Sequence, residues 1–379
     1  MKINKSNIYY MLIAIVAIQD QLTTSPLFRS YYYGFFKYVL LVGILFCIFL
    51  ELGRVKPTRI QLLAAIALVF CGIYTATKTQ STSIIYITIL SFFIKDMDID
   101  RAIRIIYKTT LTFLCVNYIV FILMYFVNRG GLETMPMLDG GVRYLMFYDH
   151  PNNAAREYIF MIYLFAYVNY DKLKVRHWVF ATVGAAAVYY FTKSDAVWTI
   201  PVIALVWAFS QRSSFEKAMQ KFAQYGVLIM SALSFAMLWV ASIPALNKFF
   251  LFLNVLASNR FTSNIKAFNM YGITLLGQAS KFGAEFEYMG KTYGWVYADN
   301  MYLYLLIHVG AIYLIILGIL LWIGAKRLNR RELLPIVAML IFGTFENRVL
   351  SIDVYFTVLL IINALVNRRG QDDLKYMLD

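Results

Sequence analysis

The chain is short of charge, cysteine and histidine. Asp, Glu, Lys and Arg together make up 15% of its 379 residues, where a soluble domain carries about 25%. A chain that is 61% hydrophobic cannot cover a water-facing surface with so few polar groups. That excludes an ordinary soluble enzyme and a disordered protein. The three cysteines, Cys47, Cys71 and Cys115, lie in apolar runs without metal-type spacing. This excludes a secreted disulfide scaffold and a zinc module. HExxH, GxSxG, Walker-type and GxGxxG motifs are all absent, so the chemistry of the familiar soluble motifs has no support. The basic, apolar start MKINKSNIYYMLIAIVAIQ has no small-residue cleavage site and reads as a retained first span. There is no internal repeat and no low-complexity tract.

What is present is a series of long apolar runs. A helix needs about 20 apolar residues to cross the hydrocarbon. Such runs lie near 8–20, 32–51, 60–77, 81–95, 108–127, 153–170, 178–192, 196–210, 225–245, 300–324, 333–346 and 352–367. The expected fold is an all-α polytopic bundle of about 12 spans, a single integral membrane domain over 1–379. Residues 192–195, Thr-Lys-Ser-Asp, are the only polar break within 178–210, which predicts a tight helical hairpin there.

The net charge of +14 would suggest nucleic acid on a soluble protein. Here its distribution sets topology instead. Of the 35 Lys and Arg, 22 fall in short alternate connections, where the positive-inside rule applies. Both termini are therefore expected in the cytoplasm, with no nucleic-acid partner. The other basic residues lie on the opposite side, mostly in two long segments, 128–152 and 246–299. The longer one follows the ninth span. Within it, 245–257 is apolar, and Ser258 or Asn259 is placed to cap a second helix. In that helix Phe261, Ile265 and Phe268 form one stripe, with Arg260 and Asn264 on another face. The pattern suits a basic amphipathic helix lying on the bilayer.

Three external clusters carry polar chemistry. The first runs from Arg143 through His150, Pro151, Asn152 and Asn153 to Arg156 and Glu157. Pro151 suits the first helical position. Asn152 or Asn153 is a candidate cap, and this bland reading stands beside a functional one. Arg156 and Glu157, inside a span, are functional candidates by position or else a buried pair. The second is Asn259, Arg260, Asn264 and Lys266: either a snorkelling surface helix or an anion grip, since arginine binds phosphate oxygens bidentately. The third is Tyr297, Asp299, Asn300 and Tyr302. Asp299 or Asn300 makes a good N-cap, and His308 farther on reads as a satisfied interior histidine. Glu346, Asn347, Arg348 and Asp353 form a lesser cluster.

In order, sidedness and spacing, three runs resemble the Wzy-type polysaccharide polymerases, relatives of the O-antigen ligases. They are Arg143 with His150-Pro151-Asn152, Asn259-Arg260 with Tyr271 to Gly277, and Asp299-Asn300-Met301-Tyr302 with Gly310. The resemblance covers roughly residues 110–350. One departure is plain. The Gram-negative O-antigen subgroup has an arginine followed by fifteen residues and a glycine. Here sixteen residues separate Arg260 from Gly277, and the fifteen-residue spacing from Arg143 reaches Ile159. The chain is nearer the capsule and exopolysaccharide polymerases of Gram-positive bacteria.

The resemblance implies a GT-C-like fold in the bacterial cytoplasmic membrane, with the active site on its outer face. It implies a metal-independent, inverting glycosyltransferase that uses no cofactor. Donor and acceptor would both be glycans on undecaprenyl pyrophosphate, and a chain-length regulator protein is a possible partner. Arg260 and Arg143 would stabilise the leaving pyrophosphate, with Arg156 as a third cation. His150, then Asp299, would take the acceptor's proton. Asn152, Asn264, Asn300 and Tyr302 would hold substrate, and Tyr293, Trp295 and Tyr297 would stack on sugar rings. A ligase would use similar groups. A transporter remains as the non-enzyme alternative, against the absence of a half-to-half repeat.

Overall fold

The computed structural model of the chain describes residues 5–25, 39, 42–43, 70–79, 97–136, 141–257, 259–280, 286–288, 291–293, 296–347 and 352–367. The expected spans at 32–51, 60–77 and 81–95 lie wholly or largely outside them. The described residues are predominantly helical, with two small antiparallel hairpins. The chain divides into two units: Met1–Lys56, Ile89–Gln211 and Ser351–Leu359 form one, and Pro57–Thr88, Arg212–Leu350 and Leu360–Asp379 the other.

In the first unit, α1 (Lys5–Thr24) and α3 (Pro151–Val168) pack on α2 (Ile99–Val127). Asp98 caps α2, its carboxylate accepting from the N–H groups of Asp100 and Arg101. Helix α4 (Val175–Thr192) packs on α3, where the Tyr158 hydroxyl donates to the Ala181 carbonyl at 2.9 Å. The expected break is present: α4 ends at Thr192, Lys193 is left-handed with φ 52°, and a 3-10 turn (Asp195–Trp198) leads into α5 (Thr199–Ser210). The 128–152 segment folds into a hairpin, with β1 (Thr134–Pro136) paired to β2 (Val142–Tyr144).

In the second unit, α6 (Ser213–Ala241) packs along α10 (Ala311–Gly324) and α11 (Arg330–Phe342). A capping box starts α11. The Asn329 side chain accepts from the Glu332 N–H, and the Glu332 carboxylate from that of Asn329. Between α6 and α10 lie α7 (Asn247–Leu256), α8 (Arg260–Tyr271), the hairpin β3 (Phe286–Tyr288) with β4 (Lys291–Tyr293), and α9 (Met301–Tyr304). The expected cap of α8 is different in kind. Asn259 is left-handed and its side chain caps nothing; Asn254 of α7 reaches across, its Oδ1 accepting from the Thr262 N–H at 3.0 Å. Ser258 lies outside the described residues. Helix α12 (Ile352–Asn367), whose residues to Leu359 belong to the first unit, closes the described chain.

The apolar run at 300–324 is broken rather than continuous. A π-turn at Leu305–Val309 follows α9, and Gly310, at φ 116°, separates it from α10. Such a break frees backbone groups that must find partners. The extended stretch after α8 supplies them: Thr274 N–H bonds Leu306 O, Gln278 N–H bonds His308 O, and Ala311 N–H bonds Thr274 O, at 2.8–3.1 Å. Gly277 and Gly310 cross back to back, and a Cβ on Gly310 would lie 2.5 Å from the Leu275 carbonyl oxygen. Only glycine fits that approach.

Helices α2 and α6 have 29 residues each, about 43 Å at helical rise, against a hydrocarbon core of about 30 Å. Both are apolar enough to cross a membrane, by length and composition, and only 22% of each apolar window is buried. Phe126, Leu123, Leu228 and Trp239 are among the side chains they leave exposed.

Candidate functional site

Polar groups gather at one place in each unit. In the first, they sit where β2 meets the start of α3. His150 is the N-cap of α3, its Nδ1 accepting from the Asn152 N–H at 3.1 Å, with Pro151 at the first helical position. The cap is thus the histidine and neither of the asparagines expected to serve. With Nδ1 accepting, a neutral imidazole carries its proton on Nε2. In this arrangement the ring is a hydrogen-bond donor at Nε2, and Nδ1 is engaged with the helix backbone. Arg143 donates through Nε to the Thr192 carbonyl at the end of α4 (2.9 Å) and through Nη2 to Asn152 Oδ1 (2.5 Å). A cation at a helix C-terminus is favourable, so Arg143 ties β2, α3 and α4 together.

Beneath these residues lies a buried polar layer. Glu157 faces away from its neighbour Arg156, because adjacent helical residues do not meet. It accepts from Gln21 Nε2 of α1 at 2.8 Å. Arg156 is half-buried one residue earlier. Ser25 donates its hydroxyl toward Asn117 Oδ1 and the Phe147 carbonyl, both at 3.1 Å. Met146 and Phe147 hold φ values of 54° and 62°, and such strained pairs cluster at functional sites. Nearby, Arg129 donates to the Tyr144 hydroxyl at 2.7 Å, which raises its pKa above the ordinary value.

In the second unit the organising element is α8. Its apolar stripe, Phe261, Ile265 and Phe268, is only half-buried; Asn264 and Ala267 are the residues it buries. Arg260 lies one turn before Asn264 on that same face. The helix therefore turns Arg260 and Asn264 inward and leaves its apolar stripe half-exposed. Arg260 is 11% exposed and pairs with Glu346, itself 3% exposed, at 2.9 Å. Its Nη1 also meets the Phe345 carbonyl. Asn264 is 2% exposed and its Oδ1 has no hydrogen-bond partner among the described residues. Lys266 is exposed on the other side.

The segment 296–303 is laced to this face. The Ser263 hydroxyl accepts from the Tyr297 N–H and donates to the Tyr297 carbonyl, at 2.9 and 2.8 Å. Asn347 donates to the Ala298 carbonyl. Asp299, half-buried, lies within this strap. Asn300 is the cap of α9, with Oδ1 accepting from two N–H groups and Nδ2 donating to Ser234 Oγ and the Thr344 carbonyl. Its polar atoms are all used inside the protein. Tyr302 is fully buried, and its hydroxyl donates to the Leu340 carbonyl at 2.7 Å. These two residues hold α9 in place rather than offering groups to a ligand. Tyr297 is half-buried; Trp295 lies outside the described residues, as does Arg348.

The structure thus joins Arg143 with Asn152 and His150, and Arg260 with Glu346 beside Asn264. Glu346 is the partner that sequence reading missed, since 85 residues separate the pair and nothing local links them. His308 is the satisfied histidine expected of it. It is hydrogen-bonded through Nδ1 to the Ser280 hydroxyl, with the Tyr304 ring 5.0 Å away. No protein family, curated protein or solved structure matches the chain.

Proposed function

We propose that the chain is a polytopic membrane glycosyltransferase that polymerises undecaprenyl-pyrophosphate-linked oligosaccharide repeat units on the outer face of the bacterial cytoplasmic membrane. A bundle of about 12 spans with a GT-C-like arrangement belongs to this reading. Support for the membrane comes from α2 and α6, whose apolar surfaces are mostly outward, and from the alternating basic connections. The observation that carries the chemistry is the inward polar face of α8: a nearly buried guanidinium at a helix N-terminus, with an unsatisfied amide oxygen one turn on.

In the proposed reaction the bond between the donor sugar's C1 and the pyrophosphate oxygen breaks. The acceptor hydroxyl oxygen bonds to C1 from the opposite face, so the configuration inverts. The pyrophosphate leaves with the electron pair, and the acceptor's proton passes to a base. The leaving group needs charge stabilisation more than protonation. Arg260 supplies it, the pyrophosphate taking the place of the Glu346 carboxylate against the guanidinium. Loss of one preorganised donor of this kind typically costs about 10²–10³ in rate. Asn264 Oδ1 accepts from a sugar hydroxyl. Of the two bases, Asp299 moves ahead of His150, because it sits in the strap bonded to α8 while His150 Nδ1 is engaged as a helix cap. Arg143, Arg156 and Asn152 are the glycan-binding candidates of the first unit.

The test is Arg260→Lys in the producing cell. Lysine keeps a charge opposite Glu346 but lacks the bidentate fork. Polymer should be lost and single lipid-linked units should accumulate, at unchanged protein level. Normal chain length in that variant would overturn the assignment.

A further inference from the structure

An apolar groove of about 470 Å³ runs between α6 and α10. Leu228, Leu314, Gly318 and Trp322 are among its lining residues. Its polar lining groups are Gln224, whose amide donates to the Trp322 carbonyl at 3.2 Å, and the hydroxyl of Ser231. The lining spans nine residues of α10, from Leu314 to Trp322, about 12 Å by helical rise. That is close to the depth of one leaflet, half of a hydrocarbon core of about 30 Å.

The groove has a basic end. Gln220 Nε2 donates to the Leu328 carbonyl at 3.2 Å, so the start of α6 and the turn after α10 lie together. Lys217 and Lys221 on α6 and Lys326 in the turn are exposed there. The acidic residues of the same end are engaged: Glu216 pairs with Arg330 at 2.6 Å, and Glu332 closes the capping box of α11. Half-exposed Tyr225 and Trp322 stand between the basic end and the apolar floor, as aromatic side chains do at a membrane interface.

We propose that this groove is a binding site for an anionic phospholipid, with one acyl chain along α6 and α10 and the headgroup on Lys217, Lys221 and Lys326. An open apolar trough ending in three lysines is complementary to a lipid with a negative head, and basic pockets beside spans on the cytoplasmic side recognise such heads. The inference rests on the membrane placement proposed above and is independent of the polymerase chemistry. The lysines are among the connections assigned to the cytoplasm, where anionic lipid is available.

The test reads Trp322 fluorescence in phosphatidylcholine nanodiscs containing dibrominated phosphatidylglycerol. The Trp322 signal is the difference between wild type and Trp322→Phe. It should be quenched by brominated phosphatidylglycerol at far lower mole fraction than by brominated phosphatidylcholine. Neutralising the lysines to Gln should reduce that preference by roughly fivefold for each one. Gly318→Leu should abolish it by filling the trough; a Cβ there is tolerated, 3.7 Å from Val227. Equal quenching by the two lipids, or a preference unchanged in the lysine variant, would overturn the proposal. So would quenching relieved by a polyprenyl phosphate and not by unlabelled phosphatidylglycerol. A protein that stays in solution and does not enter nanodiscs would overturn the membrane placement itself.

Discussion

Removing the Arg260 side chain should cost the protein more stability than removing Arg260 and Glu346 together. The two groups are 11% and 3% exposed and 2.9 Å apart. Breaking such a pair from one side leaves an uncompensated buried charge, worth about 3–5 kcal/mol. Arg260→Leu removes the guanidinium 2.9 Å from a nearly buried carboxylate, and the folded fraction should fall accordingly. Arg260→Leu with Glu346→Leu removes both desolvation costs, and replacing a buried pair by apolar residues is often neutral or stabilising. The assay is a double-mutant cycle on detergent-solubilised protein, read by thermal unfolding and by limited proteolysis. A coupling of about 2 kcal/mol or more is expected, within the range for contacting residues. The double variant should recover stability and still make no polymer, which separates the structural role of the pair from the chemical role of Arg260. Additive losses in the double variant would refute the reasoning.

Asn264→Leu should leave stability unchanged or raise it, by up to about 1–3 kcal/mol, because it removes a buried unsatisfied oxygen; thermal unfolding checks this, and chain length should shorten in the same variant. His150→Asn should keep the α3 cap, while His150→Ala should lose about 1 kcal/mol. If the Asn variant polymerises normally, His150 acts as a cap and not as the base. Asp299→Asn should lower the polymerisation rate by about 10²–10⁴ in a timed chain-growth assay, with no change in membrane abundance. Gly310→Ala should destabilise the α9–α10 break, since its Cβ would meet the Leu275 carbonyl at 2.5 Å. Proteolysis between Tyr271 and Gly310 should then become faster.

Much of the helical order follows from local pattern. Pro151 marks the first turn of α3, the Thr192–Asp195 break separates α4 from α5, and the 245–271 region divides at Asn259 into α7 and α8. These signals are legible because capping, proline geometry and apolar periodicity act within a few residues. What is not legible depends on distant partners. That Arg260 and Asn264 of α8 face inward cannot be read until Glu346, which follows α11, is seen to receive Arg260. The run at 300–324 reads as one helix because hydropathy registers no break at Gly310; the strand-like stretch that heals it comes from residues 274–278. His150 takes over a capping job that asparagine performs more often, so composition points to the wrong residue. The hairpins β1–β2 and β3–β4 have three-residue strands, too short for an alternation to declare itself.

Chain growth by the purified protein tests the central proposal most directly. The protein in nanodiscs would be given a lipid-linked repeat unit in the presence of EDTA, and the products separated by size. The account predicts a ladder rising in whole repeat units with release of undecaprenyl pyrophosphate, absent in Arg260→Lys. A single transfer to an unrelated acceptor, or no elongation while the lipid-linked unit stays intact, would contradict it.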